Sequence, residues 1–418
     1  ALAASGAVAI ANAYEGRGSL YGGGSSSVEI PGQYAPNVIH DGKPTPELNA
    51  KLVKLESFVE VSRQNDQLVR RIGMVGSDGK CHHFLLQFTV PYWTRTDERT
   101  AHLHLLFDRC LRNNVLSSRR NLWLKPTAVV PIAQKLRMIA DDKCFTSLHD
   151  VYIEYCYHEG LDPDRPSMLF QEKYRREISE NKSQDEKVQT KSKAYESVCK
   201  TVPSDILTSI IMKRFNDVEK HFHFQRNFTS QIALNSLLQY AFDVNERTPT
   251  KFIFDARNGQ VLAHDFRFSY SNQGFLDEKK AVPFRLTRNI VEFIGPQLIN
   301  GLFKPVFSSA ASAISANAQE LQPALQLLSR DDIVSWYLSK SAQRDGVQRC
   351  NQDLERQLSD RVKKNVHLIQ NRLRECMPRS DFEKEGNVPL DKNVQKLIEM
   401  ATESKNLASM PISYCPWL

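Results

Sequence analysis

Three pairs of closely spaced histidines are the first residues of this 418-residue chain that could be read as metal ligands. They are His82 with His83, His102 with His104, and His221 with His223. A protein metal site needs several donors that converge on one point, and no compact group of cysteines or carboxylates accompanies these pairs along the sequence. We therefore expect surface histidines or buried histidines with hydrogen-bond partners, and we predict no metal site.

Three glycines, Gly73, Gly76 and Gly79, recur at every third position, as in some phosphate-binding loops. Such a loop leads into the N-terminus of a helix, where backbone N–H groups hold the phosphate. Here β-rich runs flank the glycines instead. We therefore predict a β-hairpin whose turn is formed by residues 76–79.

The eight cysteines are far apart in the sequence and form no Cys-x-x-Cys pair. They stand at positions 81, 110, 144, 156, 199, 350, 376 and 415. This distribution disfavours both a zinc site and a disulfide framework, and it favours reduced thiols in the cytosol or nucleus.

The composition is that of an ordinary soluble globular protein, with 41% hydrophobic and 25% charged residues. The formal net charge of +7 is small for so many charged side chains, so we expect a mixed solvated surface and no direct nucleic-acid binding. Apolar runs are too short for a transmembrane helix, and no membrane association is expected. The chain begins Ala1-Leu2-Ala3, without Met or a signal sequence, and we interpret it as a C-terminal fragment of a larger polypeptide.

The elements that must position any site are strands first and helices later. Short β-rich runs begin at Phe58, followed by an amphipathic helix at 99–111 and a strand at 128–131. A second hairpin is predicted around Asn258-Gly259. Further helices are predicted at 206–215, 228–242, 285–302, 331–340, 352–374 and 391–408. The pattern indicates an α+β fold.

Two polar or small-residue stretches are expected to lie outside the core. Residues 171–200 are rich in Lys, Glu, Gln and Ser, which favours a surface helix or a disordered insertion. The run of small residues at 308–318 is expected to form a loop between helices.

Several segments, in order, resemble the catalytic head of the phosphatidylinositol 3-kinase-related kinases over residues 58–418. In the first part these are residues 69–72, 76–80, 84–86, 95–99 and 105–107. In the second part they are residues 228–231, 282–289 and the tail 397–418, which ends Cys415-Pro416-Trp417-Leu418. One such match would be weak, but the ordered set is specific.

The resemblance implies a bilobal protein-kinase-like (PI3/4-kinase) fold, with a small β-rich N-lobe, a large helical C-lobe and a C-terminal FATC helix. It assigns residues 1–57 to a partly flexible linker or helical lead-in from upstream repeats, 58–135 to the N-lobe, 136–385 to the C-lobe and 386–418 to the FATC segment.

Phosphoryl transfer needs a cation on the nucleotide phosphates, oxygen ligands for Mg²⁺ and an acceptor that orients the attacking hydroxyl. The resemblance locates each of these positions in the chain. Gln87 stands where the family has its phosphate-gripping lysine, and a neutral amide supplies no positive charge there.

The family's catalytic loop, Gly-Asp-Arg-His-x-x-Asn, aligns with residues 245–251, where Arg247 alone is retained. Glu246 replaces the aspartate, and its extra methylene displaces the carboxylate oxygens. Thr248 replaces the histidine and cannot act as an imidazole. Lys251 stands where an asparagine would ligate Mg²⁺, and its ammonium would repel the metal.

The family's metal-binding Asp-Phe-Gly segment aligns with residues 263–267. Asp265 is retained, but Arg267 replaces the glycine and could pair with Asp265 directly. The segment 130–138 also lacks the stretch that contacts adenine in active relatives. We therefore predict no catalytic, cofactor-binding or metal-binding residues and no cofactor.

Three further stretches, at 202–207, 224–234 and 328–336, are similar to the transcription-associated (TRRAP-type) pseudokinase branch of this family, and a fungal counterpart is implied. The resemblance implies a noncatalytic nuclear scaffold in histone acetyltransferase coactivator complexes of the SAGA and nucleosomal types. Its partners would be subunits of those complexes, and transcription activators would bind mainly to upstream repeats outside this chain.

Two alternatives stay open at this point. One is an active Ser/Thr kinase of the same family, with Glu246 as base and Asp265 as sole metal ligand. The other is a pseudokinase that senses ATP without turning it over.

Overall fold

The structure is a computed structural model, and it falls into two compact units. It describes residues 28–33, 46–64, 67–88, 95–133, 136–177, 184–244, 247–263, 265–276, 280–342, 352–378 and 392–418. Unit 1 comprises residues 1–101 with 127–145, and unit 2 comprises 102–126 with 146–418. Of the three points where the chain passes between the units, the first lies within a helix.

Unit 1 is built on a six-stranded antiparallel sheet. Its strands are β1 (Leu52–Leu55), β2 (Glu60–Gln64), β3 (Gln67–Gly76), β4 (Cys81–Phe88), β5 (Val129–Ala133) and β6 (Leu136–Asp141). The order is β1-β3-β4-β6-β5, and β2 also pairs with β3. The β3–β4 hairpin turns at residues 77–79, as the glycine spacing predicted. Strand β1 lies within the range that the sequence assigned to the lead-in.

The core of unit 1 is small. Ile30, Ala50, Phe84 and Met138 are buried together, and partly buried apolar residues of the strands pack around them. Alternate residues of a strand face opposite sides of the sheet, so one side of β4 and β6 supplies this core, and the other carries Gln87 and Arg137 beside the buried Leu85.

Unit 2 is mainly helical. Its helices are α1 (Thr96–Asn113, which begins in unit 1), α2 (Val115–Ser118), α3 (Leu148–Glu159), α4 (Arg165–Glu177), α5 (Gln184–Thr201), α6 (Ile206–Arg214), α7 (Val218–Ala241), α8 (Arg288–Leu298), α9 (Lys304–Ala316), α10 (Ala318–Ala342), α11 (Gln352–Glu375), α12 (Lys392–Thr402) and α13 (Ser404–Ser409). A π-helical turn at Ile299–Phe303 joins α8 to α9, and a 3₁₀ turn at Ile412–Tyr414 follows α13.

Helix α7 runs through the interior of unit 2. Its second half is buried on nearly every side and carries polar residues such as Gln231 and Asn235 as well as apolar ones. Each of these amides is hydrogen bonded to a backbone carbonyl, Gln231 to Trp123 and Asn235 to Gln231. These hydrogen bonds offset the cost of removing the amides from water, which explains how polar residues can lie inside this core.

The second predicted hairpin is confirmed by a small sheet in unit 2, ordered β7 (Phe145–Ser147), β8 (Ile253–Asp255) and β9 (Val261–Leu262). Its turn needs glycine, because Gly259 has φ of +74° and a Cβ there would lie 2.9 Å from the carbonyl oxygen of Phe224. The hairpin is thereby pressed against α7.

The small-residue run at 308–318 is not a loop, and that prediction was wrong. Residues 308–316 belong to α9, and Ser308, Ser309, Ala310 and Ala311 are buried. Alanine is the best helix former, and small side chains let α9 approach α7 and α11 closely. Composition alone suggested flexibility because it could not show these neighbours.

The polar stretch at 171–200 contributes to the core more than its composition indicated. It forms the end of α4 and most of α5, and α5 buries Ala194, Tyr195 and Val198 on one face. Among the residues that the structure describes, no helix combines the length and apolar character needed to cross a membrane.

Candidate functional site

In unit 2, Lys251 and Asp265 form an ion pair. Lys251 immediately precedes the β8–β9 hairpin and Asp265 follows it, so the antiparallel pairing returns the chain to its starting point. The Lys251 Nζ lies 2.5 Å from Asp265 Oδ2. The sequence located both positions, but it did not predict that they bind each other.

Arg267 occupies the other side of the same carboxylate. Its Nε lies 3.7 Å from Asp265 Oδ1, as the sequence suggested, and its Nη1 lies 3.9 Å from Asp332 Oδ1. The Asp332 carboxylate also accepts a hydrogen bond from the backbone N–H of Phe268 at 3.3 Å. Arg267 therefore bridges two carboxylates.

Charge and burial set the protonation of this cluster. Burial by itself raises the pKa of Asp265, but the charges of Lys251, Arg267 and Arg247 outweigh it and hold that pKa below its ordinary value. Burial raises the pKa of Asp332 to about 6, although Arg267 opposes the rise. Burial also lowers the pKa of Arg247 to about 10. Asp265 is therefore ionised at neutral pH, with its counter-charges in place.

Both oxygens of Asp265 thus face a protein cation. A Mg²⁺ ion carries its ligands at about 2.0 to 2.1 Å and needs negative oxygens directed at it. To bind here it would have to displace the Lys251 ammonium, and the two positive charges would repel each other. In this structure the Asp265 carboxylate is held in ion pairs by Lys251 and Arg267.

Thr248 is turned toward its own loop. Its Oγ1 lies 2.9 Å from Thr250 Oγ1, and its carbonyl accepts hydrogen bonds from the backbone N–H groups of Lys251 and Phe252. Glu246, the predicted replacement for the catalytic aspartate, lies outside the described residues.

In unit 1, Gln87 is held by an arginine that sequence reasoning missed. Gln87 on β4 pairs with Arg137 on β6. Arg137 donates to Gln87 Oε1 from Nε at 3.0 Å and from Nη2 at 2.8 Å, and its Nη1 is paired with Asp97. A cation thus stands beside the position where the family has its lysine, and it is engaged with a carboxylate and an amide. This contact follows from the register between β4 and β6, and the sequence pattern did not reveal that register.

The histidines have separate surroundings. His104 is buried with its ring 5.5 Å from that of Phe266, and burial, with the charge of Arg247, lowers its pKa to about 4. His82 lies 3.0 Å from Asp78 and His223 lies 3.7 Å from Glu219.

Arg285 is a second residue whose role the sequence did not predict. Its guanidinium donates to the backbone oxygens of Tyr414 at 2.7 Å, Cys415 at 3.3 Å and Leu418 at 3.2 Å. It also lies 4.6 Å from the centre of the Tyr414 ring. Tyr414, Trp417 and Leu418 are all buried in the hydrophobic core of unit 2.

A cavity of about 780 Å³ lies elsewhere in unit 2, between the end of α7 and the helices α11 and α12. Its charged lining is largely self-paired. Lys280 and Arg372 both face Asp243, and Tyr240 donates to Glu375 at 3.5 Å.

Comparison with known proteins supports the kinase-like reading of this geometry. The family model for phosphatidylinositol 3- and 4-kinases matches residues 86–338, and the FATC domain model matches residues 390–418. Among solved structures, the FAT and kinase domain of CtTel1 matches with a TM-score of 0.69 and 17% identity, over 94% of this chain and 25% of that one. This last likeness concerns the fold alone.

Curated relatives match nearly the whole chain. The SAGA complex/NuA4 acetyltransferase complex subunit TRA1 of Saccharomyces cerevisiae is 26% identical over 93% of this chain and 10% of its own length. The corresponding subunit of Schizosaccharomyces pombe is 27% identical over 94% and 11%. The transformation/transcription domain-associated protein of Homo sapiens is 25% identical over 94% and 10%. The chain spans about a tenth of the length of these relatives.

The fold class is therefore α+β and protein-kinase-like, of the phosphatidylinositol 3/4-kinase type, with an FATC domain at its end. Because the kinase model matches more than half of the residues, the chain belongs to the phosphatidylinositol 3- and 4-kinase family. Its sequence is most like the TRA1 and transformation/transcription domain-associated proteins among the relatives compared above.

Proposed function

We propose that this chain is a noncatalytic, kinase-shaped module of a subunit of histone acetyltransferase coactivator complexes of the SAGA or NuA4 type. The two yeast relatives are named as such subunits, and the likeness to them extends over more than nine-tenths of this chain. The module works as a scaffold: it offers surfaces to other subunits and acts in the nucleus.

The observation that carries the noncatalytic part is the Lys251–Asp265 ion pair. Asp265, the acidic residue aligned with the family's metal-binding position, forms an ion pair with the ammonium of Lys251. Lys251 itself stands where the family has a second metal ligand. Gln87 adds to this, since its amide oxygen accepts from Arg137 and offers the phosphates no charge of its own. An active kinase of this family needs both a carboxylate that binds the metal ion and a cation that binds the nucleotide phosphates.

The proposal includes an organisation of the longer protein. Residues 58–135 and 136–385 contribute most of the two kinase-like lobes, with β1 and β6 extending the sheet of the small lobe beyond those bounds. Residues 386–418 are the FATC segment, and the residues before β1 are the lead-in from upstream helical repeats. Transcription activators bind mainly to those upstream repeats, and this module binds complex subunits.

Phosphate transfer tests the noncatalytic claim. The purified chain, given Mg²⁺ and ATP labelled at the γ-phosphate, should label neither itself nor a panel of Ser/Thr peptides above the level of a heat-denatured control. A labelling rate that disappears in Asp265→Ala would establish an active kinase and overturn the proposal.

Thermal unfolding with nucleotide separates the scaffold from an ATP sensor. A ligand that binds the native state and not the unfolded chain raises the melting temperature, by an amount that grows with the logarithm of its concentration above the dissociation constant. We expect no shift with millimolar Mg²⁺-ATP beyond that seen with Mg²⁺ and tripolyphosphate. A shift specific to ATP would assign nucleotide sensing instead.

Affinity purification tests the partner class. The full-length protein, tagged and isolated from its own cells, should copurify with histone acetyltransferase activity and with the other subunits of such a complex. Crosslinking within the purified complex should then connect residues 58–418 to those subunits. Isolation of the protein without acetyltransferase activity would contradict the proposal.

A further inference from the structure

Glu56, Cys81 and His83 converge on one side of the unit 1 sheet. One donor atom from each lies within 4.8 Å of the others, and Cys81 Sγ is 4.0 Å from His83 Nδ1. These residues come from two separate parts of the chain: Glu56 follows β1, while Cys81 and His83 lie on β4. The sequence argument against a metal site examined partners along the chain and therefore missed this group.

Strand geometry explains why the three side chains share a side. Cys81 and His83 are two residues apart on one strand, so both point to the same face of the sheet. His82, between them, points to the other face, where its Nε2 lies 3.0 Å from Asp78. Strand β3 separates β1 from β4 and brings Gly73 opposite His83.

Gly73 makes room for the third donor. A Cβ built at Gly73 would lie 2.1 Å from Glu56 Oε2 and 2.4 Å from its Cδ, so the Glu56 carboxylate rests in the space that any other residue would fill. The backbone N–H of Glu56 donates to the Gly73 carbonyl at 2.9 Å, which anchors the residue at this point. The carboxylate crosses β3 over this glycine and reaches toward Cys81 and His83.

We propose that Glu56, Cys81 and His83 form a Zn²⁺ site with an open fourth position. Thiolate, imidazole and carboxylate are the three donor types that Zn²⁺ takes in proteins. Tetrahedral bonds of about 2.3 Å to sulfur and 2.1 Å to nitrogen place those two ligand atoms about 3.6 Å apart. The present separation of 4.0 Å needs a movement of a few tenths of an ångström. Because Cys81 is exposed, the fourth ligand is water or a donor from a partner subunit.

Cobalt is the direct probe, since Co²⁺ replaces Zn²⁺ with the same geometry and reports thiolate ligation through a near-ultraviolet charge-transfer band. The 418-residue chain, reduced and metal-free, should bind one equivalent of Co²⁺ with that band and with the intense visible bands of a four-coordinate ion. One equivalent of Zn²⁺ should then remove both. A chain that shows no such band would overturn the proposal, whatever its variants do.

Single substitutions assign the ligands. Cys81→Ser should abolish the charge-transfer band, and His83→Asn or Glu56→Gln should weaken Co²⁺ binding by at least about tenfold. The matched controls are His82→Asn, on the opposite face, and Cys144→Ser, another cysteine of unit 1; both should bind Co²⁺ like the parent chain. Loss of the band in Cys144→Ser, or its persistence in Cys81→Ser, would overturn the assignment.

Gly73→Ala provides a test that removes no ligand. Its methyl group should displace the Glu56 carboxylate and weaken Co²⁺ binding as much as Glu56→Gln does, and the double variant should be no weaker than either single one. Additive losses would show that Gly73→Ala does not act through Glu56, and would overturn the claim that the glycine makes room for this ligand. The metal-free Glu56→Gln, Cys81→Ser and His83→Asn variants should keep the parent's melting temperature, because none of these three side chains is buried. Gly73 is buried, so Co²⁺ binding to Gly73→Ala is compared with the parent below the melting temperature of that variant.

Discussion

The charged groups around Asp265 come close to balance. The group comprises the cations Lys251, Arg267 and Arg247 and the carboxylates Asp265 and Asp332. A kinase would use the same carboxylate to hold a metal ion, whereas here protein side chains supply the positive charge. Under the proposed noncatalytic function, the residue types at positions 251 and 267 put a structural contact where a kinase would bind its metal ion.

Removing the carboxylate should cost more than removing its nearest cation. Asp265→Asn leaves three cations facing one carboxylate, and we expect a loss of about 2 kcal/mol in the free energy of unfolding. Lys251→Gln leaves two charges of each sign, and its loss should be below about 1 kcal/mol because both side chains are partly exposed. Urea unfolding of the two variants measures the difference.

Backbone strain does not contribute to the difference between Asp265→Asn and Lys251→Gln. Asp265 has φ of +50°, and asparagine is among the residues that adopt this conformation most readily. Equal losses in the two variants would mean that charge balance does not govern the cluster.

At the scale of elements, close approach between helices depends on small side chains. Helix α9 packs against α7 and α11, and its buried positions are mostly serine and alanine. A helix built this way looks like a linker in the sequence, because the residues that permit tight packing also occur in loops. Its neighbours, rather than its own composition, establish it as core.

A larger side chain on the buried face of α9 should therefore be harmful. Ala311→Leu adds three carbon atoms at a position with 0% exposure, and we expect a cost of about 1 to 3 kcal/mol from overpacking. Ala316→Leu, at an exposed position of the same helix, is the control and should change stability by less than about 0.5 kcal/mol. Chemical denaturation gives the free energy of unfolding of both variants. Similar losses in the two would mean that Ala311 does not lie in the packed interface.

At the scale of the whole molecule, each unit has its own core, and the FATC helices belong to that of unit 2. Residues of α12, α13 and the last turn are buried in the same cluster as those of α7 and α9. Arg285 ties the backbone of the tail to the segment before α8. The terminal segment is thus part of the folding unit and not an appended tail.

Loss of the terminal tryptophan should accordingly destabilise unit 2. Trp417 is 1% exposed and its ring lies 5.8 Å from that of Phe170, so Trp417→Ala should cost about 3 to 5 kcal/mol. Tyr157→Ala is the matched aromatic control, since Tyr157 is 84% exposed and should contribute less than about 0.5 kcal/mol. Thermal and urea unfolding measure the stabilities of the two variants. Equal stabilities would mean that the tail is peripheral to the core of unit 2.

Much of the fold follows from local patterns. The helix at Thr96–Asn113, the turn after Gly76 and the hairpin at Asn258-Gly259 were predicted from periodicity and turn residues, and the structure contains each of them. Motifs in order predicted the kinase-like family and the FATC domain, which the comparisons confirm. These features can be predicted from the sequence because each depends on neighbouring residues or on a short fixed spacing.

The sequence by itself determined the residue types Gln87, Lys251 and Arg267, which the family resemblance aligns with positions that carry chemistry. Tertiary structure alone decided what those side chains contact: Lys251 binds Asp265, Arg137 holds Gln87, and Glu56 reaches Cys81 and His83 across Gly73. The physical reason is that such contacts depend on strand register and on the return of the chain after a hairpin. A shift of one residue in the register of β4 would send Gln87, Cys81 and His83 to the other face of the sheet.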